Sequence, residues 1–141
     1  MKRLLVMTAL LAAVAFPALA LGDLILGDAD KITDHGTTAQ VVSVSGGQAV
    51  LLDFKYSGLG SHTVTITVSA PFFCTNNGGN NPPGQISATS QPITPENGNV
   101  TGTLTTNAAS CPDHMAPTIG PTVTVTLTLD DGSSKVFTYT V

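Results

Sequence analysis

Apolar and polar residues alternate with a period of two along two stretches of the chain. Thr122–Leu129 reads T-V-T-V-T-L-T-L, and Thr63–Ala70 follows the same scheme with Thr or Ser at every other position. Successive side chains of a β-strand point to opposite faces, so this alternation predicts two strands that each bury one face. A helix would scatter the same apolar residues around its circumference. We therefore expect Val64 and Val125 to lie in the core.

Weaker alternation and the turns between the segments predict six further strands. Gly46-Gly47 separates two of them, and glycine accepts the positive φ that a tight hairpin turn requires. The polar segment Asp130–Ser134 joins Thr122–Leu129 to the last strand, and no segment shows a sustained helical period. The six predicted segments are Leu21–Leu26, Gln40–Val44, Ala49–Tyr56, Gln85–Thr89, Asn99–Thr106 and Lys135–Val141.

The number and length of these segments predict the fold class. Short strands separated by turns rich in Gly, Pro and Asn indicate an all-β fold. The best fit is an immunoglobulin-like Greek-key β-sandwich of about 7–8 strands. The likeness is one of architecture, because the chain has no tryptophan and the placement of its cysteines differs from that of antibody domains. Residues 21–141 have the size of one such domain, so we expect a single β-sandwich domain there.

The first twenty residues have a different character. Lys2 and Arg3 precede the apolar run Leu4–Phe16, and small residues follow. This order predicts a secretory signal peptide over residues 1–20, because the apolar run is too short to span a bilayer. We expect the mature protein to begin at Leu21, to be secreted or to reside in the periplasm or cell envelope, and to have no membrane insertion after signal removal.

The charge of the predicted mature chain restricts its partners. The whole chain has a formal net charge of −4, and removing two basic residues with the signal peptide leaves three lysines against nine acids, or −6. The remaining basic residues are Lys31, Lys55 and Lys135. Proteins bind phosphate backbones and anionic lipids through lysine and arginine. We therefore expect no nucleic-acid partner, and instead a protein or carbohydrate at the cell surface.

Two cysteines remain after the signal peptide. In an oxidising compartment an isolated pair most often forms a disulfide, here Cys74–Cys111. If successive strands alternate in direction, both cysteines lie at the same end of the sandwich, and the bond joins two long loops, Pro71–Gly84 and Asn107–Gly120. Loops held on a rigid scaffold are common binding sites, although asparagine and glycine also serve turn geometry. The candidate binding residues are Phe72, Phe73, Asn76, Asn77, Asn80, Asn81, Asp113, His114 and Met115.

The same loop contains the ligand types of a blue-copper site. Cys111, His114 and Met115 offer a thiolate, an imidazole and a thioether. Such a site needs a second histidine, and neither His35 nor His62 has a context that brings it to this loop. Cys74 is also available to form a disulfide with Cys111 in an oxidising compartment, so we expect a disulfide in a solvated loop.

Carboxylates collect at the predicted opposite end. Loops at that end contain six of them, and calcium prefers six to eight oxygen ligands from such loops. The spacing matches no EF-hand, so exposed acids in ordinary turns are the alternative. The candidate calcium ligands are Asp28, Asp30, Asp34, Glu96, Asp130 and Asp131.

No motif in the sequence indicates catalysis. Serines are plentiful, but none lies in a G-x-S-x-G turn, and the histidines have dissimilar contexts. We expect a non-catalytic binding or accessory module that acts through the disulfide-linked loops, with no cofactor other than calcium. The alternative is a structural subunit of a surface polymer, in which the last strand Lys135–Val141 extends a neighbour's sheet.

Overall fold

Nine strands and one short 3₁₀ helix make up the regular elements of the described part of the chain. The computed structural model describes residues 27–75, 82–113 and 115–141. The predicted signal peptide and the predicted strand Leu21–Leu26 lie outside these residues. The 3₁₀ helix covers Gly27–Lys31, and the strands are β1 Thr33–Asp34, β2 Thr38–Val44, β3 Gly47–Ser57, β4 Val64–Thr75, β5 Pro83–Thr89, β6 Val100–Thr105, β7 Ala116–Ile119, β8 Thr122–Leu129 and β9 Ser134–Thr140.

The strands form two antiparallel sheets. In the first sheet β3 is central: β1 and β2 pair with one side of it in succession, and β6 pairs with the other. The second sheet has the order β5-β4-β8-β9, and β7 continues the line of β8 along the end of β4. The chain passes from one sheet to the other after β3, β5 and β6. The predicted all-β sandwich is confirmed, and its immunoglobulin-like Greek-key character stays a prediction.

The core lies between the two sheets and follows the period-two pattern. Val64 and Val125 are exposed by 1% and 0%, as predicted, and their strand neighbours on the other face are half-exposed. Strand β3 contributes the largest side chains, including Tyr56. The fully enclosed side chains with the largest volumes are Tyr56, Ile32, Leu52, Leu59, Ile66, Ile86, Leu127, Val50, Val64, Val68, Val123 and Val125.

The solvent-facing side of the second sheet is built from hydroxyl-bearing residues. Strand register places side chains from all five strands of the sheet on this face, among them the cross-strand pair Thr67 and Thr126. None of the described side chains on this face is charged. Its hydroxyl-bearing residues are Thr65, Thr67, Ser69, Thr75, Ser87, Thr89, Thr118, Thr122, Thr124, Thr126, Thr128, Ser134, Thr138 and Thr140.

Strand β4 is longer than the alternation predicts. The predicted segment ends at Ala70, before a proline that lacks an N–H group for pairing. The strand continues to Thr75 because β5 pairs with its last part on one side and β7 on the other. Strand β7 itself was not predicted, since Ala116–Ile119 is short and contains a proline. Strand β1, of two residues, also lacks any signal in the sequence.

The helical content bears on membrane association in one respect. Across the described ranges, no helix is long and apolar enough to cross a bilayer.

Candidate functional site

The two cysteines are joined, as predicted. Cys74 and Cys111 form a disulfide with their Cα atoms 5.6 Å apart. Cys74 is buried near the end of β4, and Cys111 lies half-buried in the connection between β6 and β7. Because Cys111 is oxidised, it offers no thiolate, which removes the copper site considered for this loop. We call the surroundings of the bond the disulfide end: residues 71–75, 82–84, 110–113 and 115–118.

Phe72 and Phe73 do not lie in a loop, and this part of the prediction is wrong. Both belong to β4, where Phe72 pairs with Gly84 on one side and with Ile119 on the other. The Phe72 ring lies over Gly84, so that a Cβ atom at position 84 would be only 2.4 Å from it. The half-buried Phe72 therefore packs against the core and is a structural residue.

Phe73 points the other way, into solvent. Its side chain is 39% exposed, and its cross-strand neighbours are Pro83 and Thr118. Of the other predicted binding residues, Asp113 is exposed and Met115 is half-buried. The four asparagines and the histidine of the predicted set lie outside the described residues: Asn76, Asn77, Asn80, Asn81 and His114.

The six predicted calcium ligands lie at the end where β3 terminates, but they do not form one cluster. Asp34 belongs to β1 and accepts hydrogen bonds from the amides of Gly36 and Thr37. Glu96 is exposed in the connection between β5 and β6, where its backbone bridges to Asn99. The side chain of Asp30 is exposed, and only its backbone carbonyl has a described partner.

His62 connects two of the remaining acids. Its Nδ1 lies 2.6 Å from Oδ1 of Asp130, and its Nε2 lies 2.8 Å from Oδ2 of Asp28. Asp130 also accepts a hydrogen bond from the backbone amide of Thr63, which fixes its carboxylate beside the ring. The His62 side chain is 28% exposed. An imidazole with a carboxylate on each nitrogen is arranged to hold a positive charge.

A buried serine holds the fourth member of this group. Ser133 donates from its backbone amide and from its hydroxyl to Oδ1 of Asp131. The same hydroxyl accepts a hydrogen bond from the amide of Ala29, 104 positions earlier in the chain. The start of the described chain is thereby attached to the turn between β8 and β9. We call Asp28, His62, Asp130 and Asp131 the acidic cluster.

These contacts shift the pKa values of the cluster so that the charged form of each group is favoured. Hydrogen bonds to Asp130 and Asp28 raise the pKa of His62 above its usual 6.5. The hydrogen bond to His62 lowers the pKa of Asp28 and of Asp130 below 3.8. Lys31 adds to the effect on Asp28, since its Nζ lies 3.4 Å from Oδ1.

A second polar group links the two sheets near this end. The hydroxyls of Tyr56 and Tyr139 are 2.7 Å apart, and Tyr139 donates to Oδ2 of Asp34 over 2.8 Å. Burial, together with the neighbouring hydroxyl and carboxylate, raises the pKa of Tyr139 well above its ordinary value. Burial also acts to raise the pKa of Asp34, but hydrogen bonds from Thr37 and Tyr139 outweigh it and lower that pKa. This group holds β9 against β1 and β3.

The sequence interpretation missed His62 at the acidic cluster. The signal was present, because His62 immediately precedes the alternating run that begins at Thr63. With strands alternating in direction, the start of that strand lies at the same end as the turn after Leu129. The sequence indicates a role for histidine only as a copper ligand beside Cys111, at the other end of the sandwich.

Comparison with known proteins assigns the chain to no family. No family model matches the chain, and no curated protein sequence matches it. What the structure defines is an all-β protein of two antiparallel sheets with a disulfide at one end.

The acidic cluster predicts that stability falls as pH rises above neutrality. A histidine with a raised folded-state pKa contributes its full stability below its unfolded pKa of 6.5 and loses it as pH rises through the folded value. Asp28 and Asp130, with lowered pKa values, contribute above 3.8 and lose this as pH falls through the folded value. We expect urea unfolding in chelator to give a higher free energy at about pH 5.5 than at about pH 8.5.

A matched pair of variants shows whether His62 causes the difference in unfolding free energy between the two pH values. His62→Asn should reduce it, whereas His35→Asn, at an exposed position in the β1–β2 connection, should retain it. An unchanged difference in His62→Asn would show that other groups cause the pH dependence.

Proposed function

We propose that the protein is an exported, non-catalytic binding module that recognises a neutral carbohydrate at the cell surface through its disulfide end. The observation that carries the proposal is Phe73. Among the described aromatic side chains it alone is exposed, at 39%. An exposed aromatic ring offers a large contact area, and its face packs well against the C–H groups of a sugar ring.

The position of Phe73 on the scaffold supports a binding role. Strand β4 is paired on both sides at this residue, with Pro83 and with Thr118. The next residue, Cys74, is buried and bonded to Cys111. A ring held on such a strand loses little backbone freedom when a ligand binds, and preorganisation of this kind favours affinity.

The charge at this end favours a neutral ligand. Asp113 is the only charged side chain that the structure describes at the disulfide end, and two prolines, Pro82 and Pro112, lie beside the bond. Most of the described acids lie at the opposite end of the sandwich. A surface with a single carboxylate and one exposed ring suits an uncharged glycan better than a phosphorylated or anionic one. A protein partner at the cell surface would use the same ring.

Assembly by edge-strand pairing is the alternative function, and two contacts weigh against it. At one edge of the second sheet, Asn107 accepts a hydrogen bond from the amide of Ser87 through Oδ1 and donates its own amide to the Ser87 carbonyl. At the other edge, Lys135 of β9 reaches back to the carbonyls of Asp30 and Ile32. Blocked edge groups and inward-pointing lysines are devices that prevent strands from adding to a sheet.

The test of the carbohydrate proposal is binding of the purified protein to an array of neutral oligosaccharides. For a glycan that the wild type binds, Phe73→Ala should weaken affinity at least about tenfold, because truncating an aromatic hot-spot residue costs about 2 kcal/mol or more and about 1.4 kcal/mol corresponds to tenfold. Val136→Ala is the matched control, since Val136 is also an exposed apolar residue on this sheet face, in β9. It should bind within about twofold of the wild type.

Four outcomes would contradict the carbohydrate proposal. Absence of binding across the array, or equal binding by Phe73→Ala and wild type, would exclude a carbohydrate site at Phe73. Concentration-dependent polymers in analytical ultracentrifugation would favour assembly. Loss of attachment to a cell-surface protein in Phe73→Ala, with an array that is negative, would retain the site and replace the ligand class.

A further inference from the structure

Side chains from three separate segments of the chain meet in the acidic cluster. Asp28, His62 and Asp131 each offer one ligand atom, and these atoms all lie within 4.8 Å of one another. The three come from the 3₁₀ helix, the connection before β4 and the turn before β9. We propose that these three side chains form a binding site for a divalent transition-metal ion of the Zn²⁺ type.

The distances allow an ion to enter with small movements. In a tetrahedral zinc site, bonds of about 2.0–2.2 Å place neighbouring ligand atoms roughly 3.3 Å apart. Nε2 of His62 and Oδ2 of Asp28 are 2.8 Å apart, joined by a hydrogen bond that the ion would replace, with release of the Nε2 proton to solvent. Both side chains are partly exposed, at 28% and 48%, so they can open by the required half ångström or so without disturbing the core.

Two further contacts orient the ligands. Asp130 occupies Nδ1 of His62, which directs Nε2 towards the other two ligands. Metal-bound histidines generally donate their other ring nitrogen to a carboxylate or carbonyl in this way. Ser133, which is buried, fixes Asp131 through Oδ1. The metal ligands are thus supported by two side chains that would not themselves touch the ion.

The imidazole decides which kind of ion fits. Calcium, the candidate ion from the sequence, coordinates oxygen alone, and three of its six candidate ligands lie outside the acidic cluster. One imidazole nitrogen with two carboxylate oxygens suits a borderline ion such as Zn²⁺ better. A hard ion would gain nothing from His62.

The surroundings leave one side of the site open. A cleft of about 230 Å³ is lined by Asp28, Lys31, His62 and the segment from Gly58 to Ser61. Water from this cleft can complete a fourth position, as in zinc sites with three protein ligands. The site lies at the opposite end from Phe73, so the metal proposal is independent of the carbohydrate proposal.

The test is isothermal titration of the untagged, chelator-treated protein with Zn²⁺ and, separately, with Ca²⁺ at pH 7.5. We expect one equivalent of Zn²⁺ to bind with a micromolar dissociation constant and Ca²⁺ to bind at least tenfold more weakly. His62→Ala should weaken Zn²⁺ binding by at least about tenfold. Asp130→Asn, which alters only the support of the ring, should weaken it by roughly tenfold to a hundredfold. The control His35→Ala should bind as the wild type does.

Co²⁺ provides a second readout that does not depend on stability. Visible absorption of the Co²⁺-loaded protein should be typical of a nitrogen- and oxygen-ligated ion and should be absent in His62→Ala, with circular dichroism confirming that the variant is folded. Absence of Zn²⁺ binding at millimolar concentration, equal affinity in His62→Ala, or a preference for Ca²⁺ over Zn²⁺ would each overturn the proposal.

Discussion

Val125→Asp will fail to fold under conditions in which Thr124→Asp folds. Val125 is enclosed between the sheets with no exposed surface, so the aspartate would be an unpaired charge in the core. The cost of burying such a charge, even after its pKa shifts, is several kcal/mol, whereas single domains are stable by only about 5–15 kcal/mol. Thr124 is half-exposed on the other face of β8, opposite Ser69 and Thr138, where a carboxylate remains solvated.

Soluble yield and thermal unfolding followed by circular dichroism measure this difference. A second pair on the neighbouring strand, Val64→Asp against Thr65→Asp, repeats the comparison where the same two faces are defined. If both members of each pair fold equally well, the burial of alternate side chains in β4 and β8 does not determine stability.

Removing the disulfide will lower the free energy of unfolding by about 4 kcal/mol, because the bond closes a loop between residues 37 positions apart and so restricts the unfolded chain. For a domain of this size the melting temperature should fall by roughly 15 °C. Cys74→Ala/Cys111→Ala is the variant of choice, since Cys74 is buried and alanine adds no polar group there.

A reductant provides the control for the disulfide prediction. Reducing the wild type should lower its melting temperature to near that of the double variant, and the same treatment should leave the double variant unchanged. Equal melting of the oxidised wild type and the double variant would show that the bond does not contribute to stability.

The sequence predicts those parts of the fold in which the local alternation of apolar and polar residues decides which side chains are buried. The alternation in Thr122–Leu129 and Thr63–Ala70 fixes which side chains face the core, and Val64 and Val125 are buried accordingly. The end of β4 could not be predicted in this way. Pro71 interrupts the pattern, and the strand continues only because β5 and β7, distant in sequence, supply partners for residues 71–75.

The two ends of the molecule differ in what the sequence reveals about them. The cysteine pair follows from composition and strand direction, but the roles of Phe72 and Phe73 do not. Adjacent strand residues face opposite ways, so locating the strand decides which ring is exposed. At the acidic end, the sequence counts carboxylates but cannot say that Asp34 pairs with Tyr139 while Asp28 and Asp130 pair with His62. These pairings join residues 34–105 positions apart, and only the packing of the sheets brings them together.

The uncharged outer face of the second sheet has a consequence for how the protein interacts with its medium. Threonine and serine hydroxyls hold water by hydrogen bonds and do not titrate between acidic and alkaline conditions. Because no described side chain on that face is ionic, pH does not change its charge and salt has no ionic side chain there to screen, whereas the carboxylate-rich end titrates and is screened. One broad side of the molecule therefore keeps a constant wetting behaviour in environments of varying acidity and ionic strength.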